Sequence, residues 1–225
     1  MFSQGARVVS VDVPAARSGG LTRPRVFPAR PGQAAMIIAA FTGVLYLTEA
    51  VDMVLGGVLD QDGIRPRQLD GLDGVLWAPL LHGDWPHLVA NTVPVLVLGF
   101  LALAGGIGQF IVVTATIWLV AGLGTWLAGS PGVHLGASVL IFGWLVFLLI
   151  RGFFARSLLQ ILLAVVLFGL WGGVLWGVLP GVAGISWEGH LFGAVGGLLA
   201  ARLVVRGNRP RPQGSGLDRP GGRSS

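Results

Sequence analysis

The chain has 225 residues, 53% of them hydrophobic and only 11% charged, with a formal net charge of +5 and a mean hydropathy of +0.77. A soluble domain carries about a quarter charged residues, so this composition excludes a water-soluble monomer. With no cysteine, disulfides, thiolate nucleophiles and sulfur-ligated metals are excluded as well.

Residues 1–33 hold Arg7, Arg17, Arg23, Arg25 and Arg30 but no apolar core. They read as a disordered cytoplasmic arm and not as a cleavable signal. The next 173 residues, 34–206, read as one membrane domain. No Asp, Glu, Lys or Arg occurs between Asp84 and Arg151, nor between Arg156 and Glu188. A helix needs roughly 20 mainly apolar residues to cross a bilayer, so the first gap holds three spans and the second holds one. Six spans are predicted, near residues 34–55, 86–105, 108–128, 136–150, 157–179 and 187–205. The fold class is therefore all-α, a polytopic six-helix bundle, because in hydrocarbon each backbone amide must be paired within its own helix or a closed barrel. The 37 glycines suit close helix packing in that setting.

The loop at residues 56–85 carries five aspartates, and within it Leu76, Trp77, Leu80 and Leu81 recur at near-helical spacing, as expected of an interfacial segment. Residues 207–225 form a Gly/Pro/Arg/Ser tail expected to be disordered and cytoplasmic. Every basic residue is arginine, and thirteen of the fifteen fall on one side of the predicted topology. This asymmetry places both termini in the cytoplasm and accounts for the positive charge without nucleic acid. The predicted location is the cell membrane, with the lipid bilayer as a partner.

Polar side chains inside spans are costly and are functional candidates by default. Four stand out: His87, Asn91, Ser138 and His190. At 1.5 Å per helical residue, Ser138 lies about 20 Å above Arg151, His190 about 18 Å above Arg202, and Asn91 about 21 Å above Gly105. Three helices thus bring polar groups to one level in a core about 30 Å thick. Ser138 near a helix start has unpaired amides beside it, which favour developing negative charge. His190 exchanges a proton near neutral pH and so suits the base for a serine. His87 and Asn91, four residues apart, share a helix face and both donate hydrogen bonds, as an oxyanion requires. Gly189, Gly193 and Gly197 form a small-residue face on the sixth span, and Gly136 and Gly143 offer the same on the fourth.

HGDWPHLVAN at 82–91, GASVLIFG at 136–143 and GHLFGAVGG at 189–197 stand in that order. With these motifs, residues 34–205 resemble the rhomboid intramembrane serine proteases. The resemblance implies a Ser138–His190 dyad without a third carboxylate, oxyanion donors at His87, Asn91 and the Ser138 amide, and no cofactor. It further implies that Phe142 stacks on His190 and that His82 is a structural hydrogen-bonding residue. Substrates would be membrane-anchored proteins, cut within or beside an easily unwound helix. Two positions depart from the family pattern. Val139 follows the serine where glycine is usual, so its branched side chain is expected to press on a neighbouring helix or the oxyanion pocket. GIRPR at 63–67 stands where a Trp-Arg pair is common.

Two rival readings use the same residues: a rhomboid-like protein that binds transmembrane helices without cutting them, and a small-solute transporter. The transporter is disfavoured by the lack of an internal repeat. His82, His87 and His134 are too poor in accompanying carboxylates to read as a metal site. Glu49 and Asp52 read as a capped or solvated helix edge. Phe168, Trp171 and Leu175 on the fifth span are either a substrate gate or lipid-facing packing.

Overall fold

The structure is a computed structural model that describes residues 25–181 and 184–207. Most of the N-terminal arm and nearly all of the C-terminal tail therefore lie outside the described residues. Six helices are long and apolar enough to cross a membrane, and among the described residues there is no strand. Their order and placement follow the predicted spans, with shifted boundaries that have local causes.

Helix α1 (Pro31–Leu55) starts on a proline, which is pre-set for a first turn, and stops at Gly56, whose φ of 76° forms a left-handed cap. Ahead of it Val26 and Pro28 are buried, and the Arg25 carbonyl accepts a 3.0 Å bond from Gln160 Nε2. The first loop contains 3₁₀ turns and the single-turn helix α2 (Gly74–Trp77), capped by the Asp73 carboxylate. Leu76 and Trp77 are exposed, whereas Leu81 is buried.

Helix α3 (Trp85–Ala102) is capped by Asp84, whose carboxylate accepts the His87 amide at 2.7 Å. A tight turn ending at Gly105 leads into α4 (Ile107–Ala128). The first loop is fastened to α4 and the segment after it. Trp118 Nε1 donates to the Val75 carbonyl and Trp126 Nε1 to the Gln68 carbonyl, each at 2.8 Å. The Arg67 amide donates to the Trp126 carbonyl at 2.8 Å, and its guanidinium donates to the Gly129 carbonyl at 2.9 Å. Ile64 and His134 form a two-bond antiparallel bridge. The GIRPR segment thus serves as a strap.

Helix α5 (Ser138–Ala155) begins two residues later than its predicted span, because Gly136 has a φ of 118° and cannot lie in a helix. It ends at Arg156, which is left-handed with φ 51°. Helix α6 (Leu158–Trp171) tightens into a 3₁₀ stretch, Gly172–Val178, and α7 (Trp187–Gly207) follows. Phe168 is exposed on the outside of α6, while Trp171 and Leu175 lean on the core.

The core gathers around α5, where Leu140, Trp144, Phe147 and Leu148 are fully buried. Helix α7 packs mainly against α4 and α5. Its glycines make this possible: a Cβ on Gly197 would collide with the Gly143 carbonyl, and one on Gly193 with the Val139 carbonyl. Backbone approach of this kind is how membrane helices gain contact where hydrophobic burial gives no drive. Glu49 and Asp52 differ from the solvated edge expected of them, since both are only 6% exposed. Asp52 is a cap nonetheless, its carboxylate accepting the Leu59 amide at 2.6 Å where the loop folds back over the helix end.

Candidate active site

Helices α5 and α7 bring Ser138 and His190 together, with the serine Oγ 2.9 Å from His190 Nε2. The other ring nitrogen, Nδ1, lies 3.0 Å from the Gly177 carbonyl in the 3₁₀ stretch after α6. A carbonyl only accepts, so Nδ1 carries the proton and Nε2 is left to accept from the serine hydroxyl. Phe142, one turn along α5, lies flat on the imidazole with centroids 4.0 Å apart and planes 10° apart. His190 is therefore fixed by a carbonyl on one edge, a ring on its face and the serine on the other edge.

The approach to Ser138 sets the rest. Gly136 donates its amide to the Ala78 carbonyl at 2.8 Å and holds its positive φ beside the His87 ring. A Cβ there would sit 2.7 Å from His87 Cε1 and 3.6 Å from Ser138 Oγ. Glycine thus lets the ring and the hydroxyl face each other closely. This differs from the helix-packing role its sequence position suggests, which falls to Gly143 against Ile117 and Gly197. The first turn of α5 has no side-chain cap, so its leading amides are not taken up by a side chain.

Asn91 lies one turn beyond His87 on α3, 7% exposed, with its Nδ2 amide lacking any hydrogen-bond partner among the described residues. Such orphaned donors are uncommon in native interiors, and a reacting group is one explanation for them. His82 is 2% exposed and its Nε2 accepts from the Ala137 amide at a long 3.4 Å. Burial, helped by the neighbouring His87, holds the His82 imidazole down at about 4. It is therefore neutral at pH 7 and able to accept that bond. The same pair of rings meets edge to face at 5.1 Å.

Val139 presses on α7, its Cγ1 toward Gly189 and its backbone toward Gly193. It lines a small hollow with Gly122, Thr125, His134 and Gly189, to which Gly136 also contributes. There its Cγ1 lies 3.2 Å from where a Gly189 Cβ would stand. Gly189 and Gly193 on α7 make the room beside Val139.

His134 stands apart from His82 and His87, its two nitrogens engaged by Ser186 and by the Ser130 carbonyl. Among the described residues, no three His, Cys, Asp or Glu side chains are arranged to hold a metal. Sequence reasoning missed Gly177, which acts through a backbone carbonyl and leaves no side-chain signature. It also missed Ser130, Ser186 and Glu188, of which Ser186 alone carries a signal, as a serine immediately before a helix start.

This geometry coincides with the comparisons. A family model described as the Rhomboid domain matches residues 72–207, and the chain belongs to the rhomboid family. It is 47% identical over 196 residues to uncharacterized proteins of Mycobacterium bovis and Mycobacterium tuberculosis, covering 83% of this chain and 80% of each relative. A Mycobacterium leprae protein, also uncharacterized, is 48% identical over 176 residues, covering 74% of this chain and 70% of that relative.

Proposed function

We propose that this integral membrane protein is a serine endopeptidase that cuts membrane-anchored proteins within or beside a transmembrane helix. The observation that carries the reading is the 2.9 Å bond between Ser138 Oγ and His190 Nε2, with the imidazole already in the tautomer that accepts the hydroxyl proton. Ser138 attacks the scissile carbonyl as His190 Nε2 takes its proton, and the amine leaves with that proton. Water then attacks the acyl-enzyme as His190 Nε2 takes one of its protons, and that proton passes to the Ser138 oxygen as the carboxylic acid product leaves. His87, Asn91 and the Ser138 amide receive the oxyanion, each donor contributing about 2.7 to 4 kcal/mol in the transition state. The arginine asymmetry supports an arrangement with both termini inside and water reaching Ser138 from the outer face.

The test is fluorophosphonate labelling together with cleavage of tagged single-span substrates in liposomes. Wild type is expected to be labelled and to cleave, and Ser138→Ala to do neither while remaining folded. A folded wild type that neither reacts nor cleaves would favour the helix-binding alternative.

A further inference from the structure

A chain of hydrogen bonds, closed into a ring by the backbone from Ser186 to Glu188, joins the segment before α5 to the first turn of α7. His134 Nε2 lies 2.9 Å from the Ser130 carbonyl, so that nitrogen carries the proton. His134 Nδ1 is then the acceptor, and the Ser186 hydroxyl donates to it at 2.6 Å. The same hydroxyl oxygen accepts the Gly189 amide at 3.3 Å and so caps α7. Glu188 closes the ring, its carboxylate accepting the Ser130 amide at 2.8 Å and the Ser130 hydroxyl. Every donor and acceptor role in this ring is mutually consistent. His134 and Glu188 are 9% and 3% exposed, which makes an unpaired state of either costly.

The ring has a fixed relation to the reacting pair. His134 stands four residues before Ser138, and Ser186 stands four before His190, whose amide donates to the Ser186 carbonyl at 3.1 Å. The His134 backbone is itself bridged to Ile64 in the first loop. A second histidine–serine contact, of reversed order, therefore ties the two helices together next to the first one. Deeper in the bundle the two helices touch through Gly193 and Gly197.

We infer that the His134–Ser186 contact, closed by Ser130 and Glu188, is a latch that sets the approach of His190 to Ser138, with His134 and Ser186 as positioning residues. The inference rests on the protease reading above.

The test uses full-length protein in liposomes and three variants. His134→Asn puts an amide oxygen near the place of Nδ1 and still accepts from Ser186. His134→Gln puts its amide near the place of Nε2, keeping the Ser130 bond and losing Ser186. His134→Leu loses both. The readouts are the fluorophosphonate labelling rate at Ser138, the thermal midpoint, and the ring ¹⁵N resonances of His190, which four histidines in the chain make assignable. A misplacement of about 1 Å costs about 10²-fold, so the Gln and Leu variants should be slowed to that extent and the Asn variant by no more than about threefold. The His190 Nε2 resonance should move in the Gln and Leu variants alone.

Equal slowing of the Asn and Gln variants, slowing that merely follows the thermal midpoint, or no slowing in any variant would overturn the latch. If the folded wild type is not labelled, the protease reading falls and the ¹⁵N resonance alone decides. Movement in the Gln and Leu variants but not in Asn supports the latch, and any other pattern ends it.

Discussion

Phe142 covers one face of the His190 imidazole, ring on ring, at 4.0 Å. The stack restricts rotation of the imidazole about its own side-chain bonds, which the single Gly177 bond alone would leave freer. Aromatic pairs contribute about 0.5–1.5 kcal/mol beyond the area they bury. Phe142→Leu, which keeps much of the bulk, should therefore lower kcat by about two- to tenfold with little change in KM. Steady-state cleavage of a single-span substrate measures it.

Asn91 keeps a buried amide donor without a partner among the described residues. A donor that pairs only when negative charge develops raises kcat and not ground-state affinity. Asn91→Ala should lower kcat by about 10²–10³-fold at nearly constant KM. A rise in KM with unchanged kcat would assign Asn91 to substrate binding instead.

Val139 lines a small hollow together with Gly122 and Gly189. Restoring the glycine common in the family should therefore remove packing and add backbone freedom without speeding the reaction. Val139→Gly is expected to cost about 1–2 kcal/mol of stability, read as a lower unfolding midpoint. Labelling at Ser138 should change little.

Gly197 faces the Gly143 backbone with no space for a methyl group. Gly197→Ala should force α7 away from α5 and cost about 1–3 kcal/mol. Gly32 has nothing nearby for a methyl group to meet, so Gly32→Ala is the control and should leave the midpoint close to wild type.

His82 titrates at about 4 in the fold against an ordinary value of 6.5. Below 6.5 the unfolded chain binds a proton that the native state refuses until about 4, so native stability falls as pH drops through that window. The full difference is on the order of 3 kcal/mol. His82→Gln keeps an acceptor for the Ala137 amide without titrating, and should flatten the stability profile between those two values. Unfolding followed by tryptophan fluorescence across that range is the measurement.

Four of the six spans were legible because charge is absent from them and hydrocarbon tolerates little else. The three polar positions were legible because helical rise converts residue counts into depth. Ser138 and His190 do meet, yet what fixes them was only partly readable. Gly136 looked like a packing glycine; its positive φ depends on the Ala78 carbonyl, 58 residues away in sequence. The 3₁₀ tightening after Trp171 hides in a run that is apolar either way. His134 and Ser186 are 52 residues apart, and only the seating of α7 between α4 and α5 makes them neighbours.

The acceptor that holds His190 Nδ1 comes from the 3₁₀ stretch after α6, which completes the least buried of the six long apolar segments. Without the Gly177 oxygen the imidazole would be free to change tautomer, and Ser138 would lose its proton acceptor.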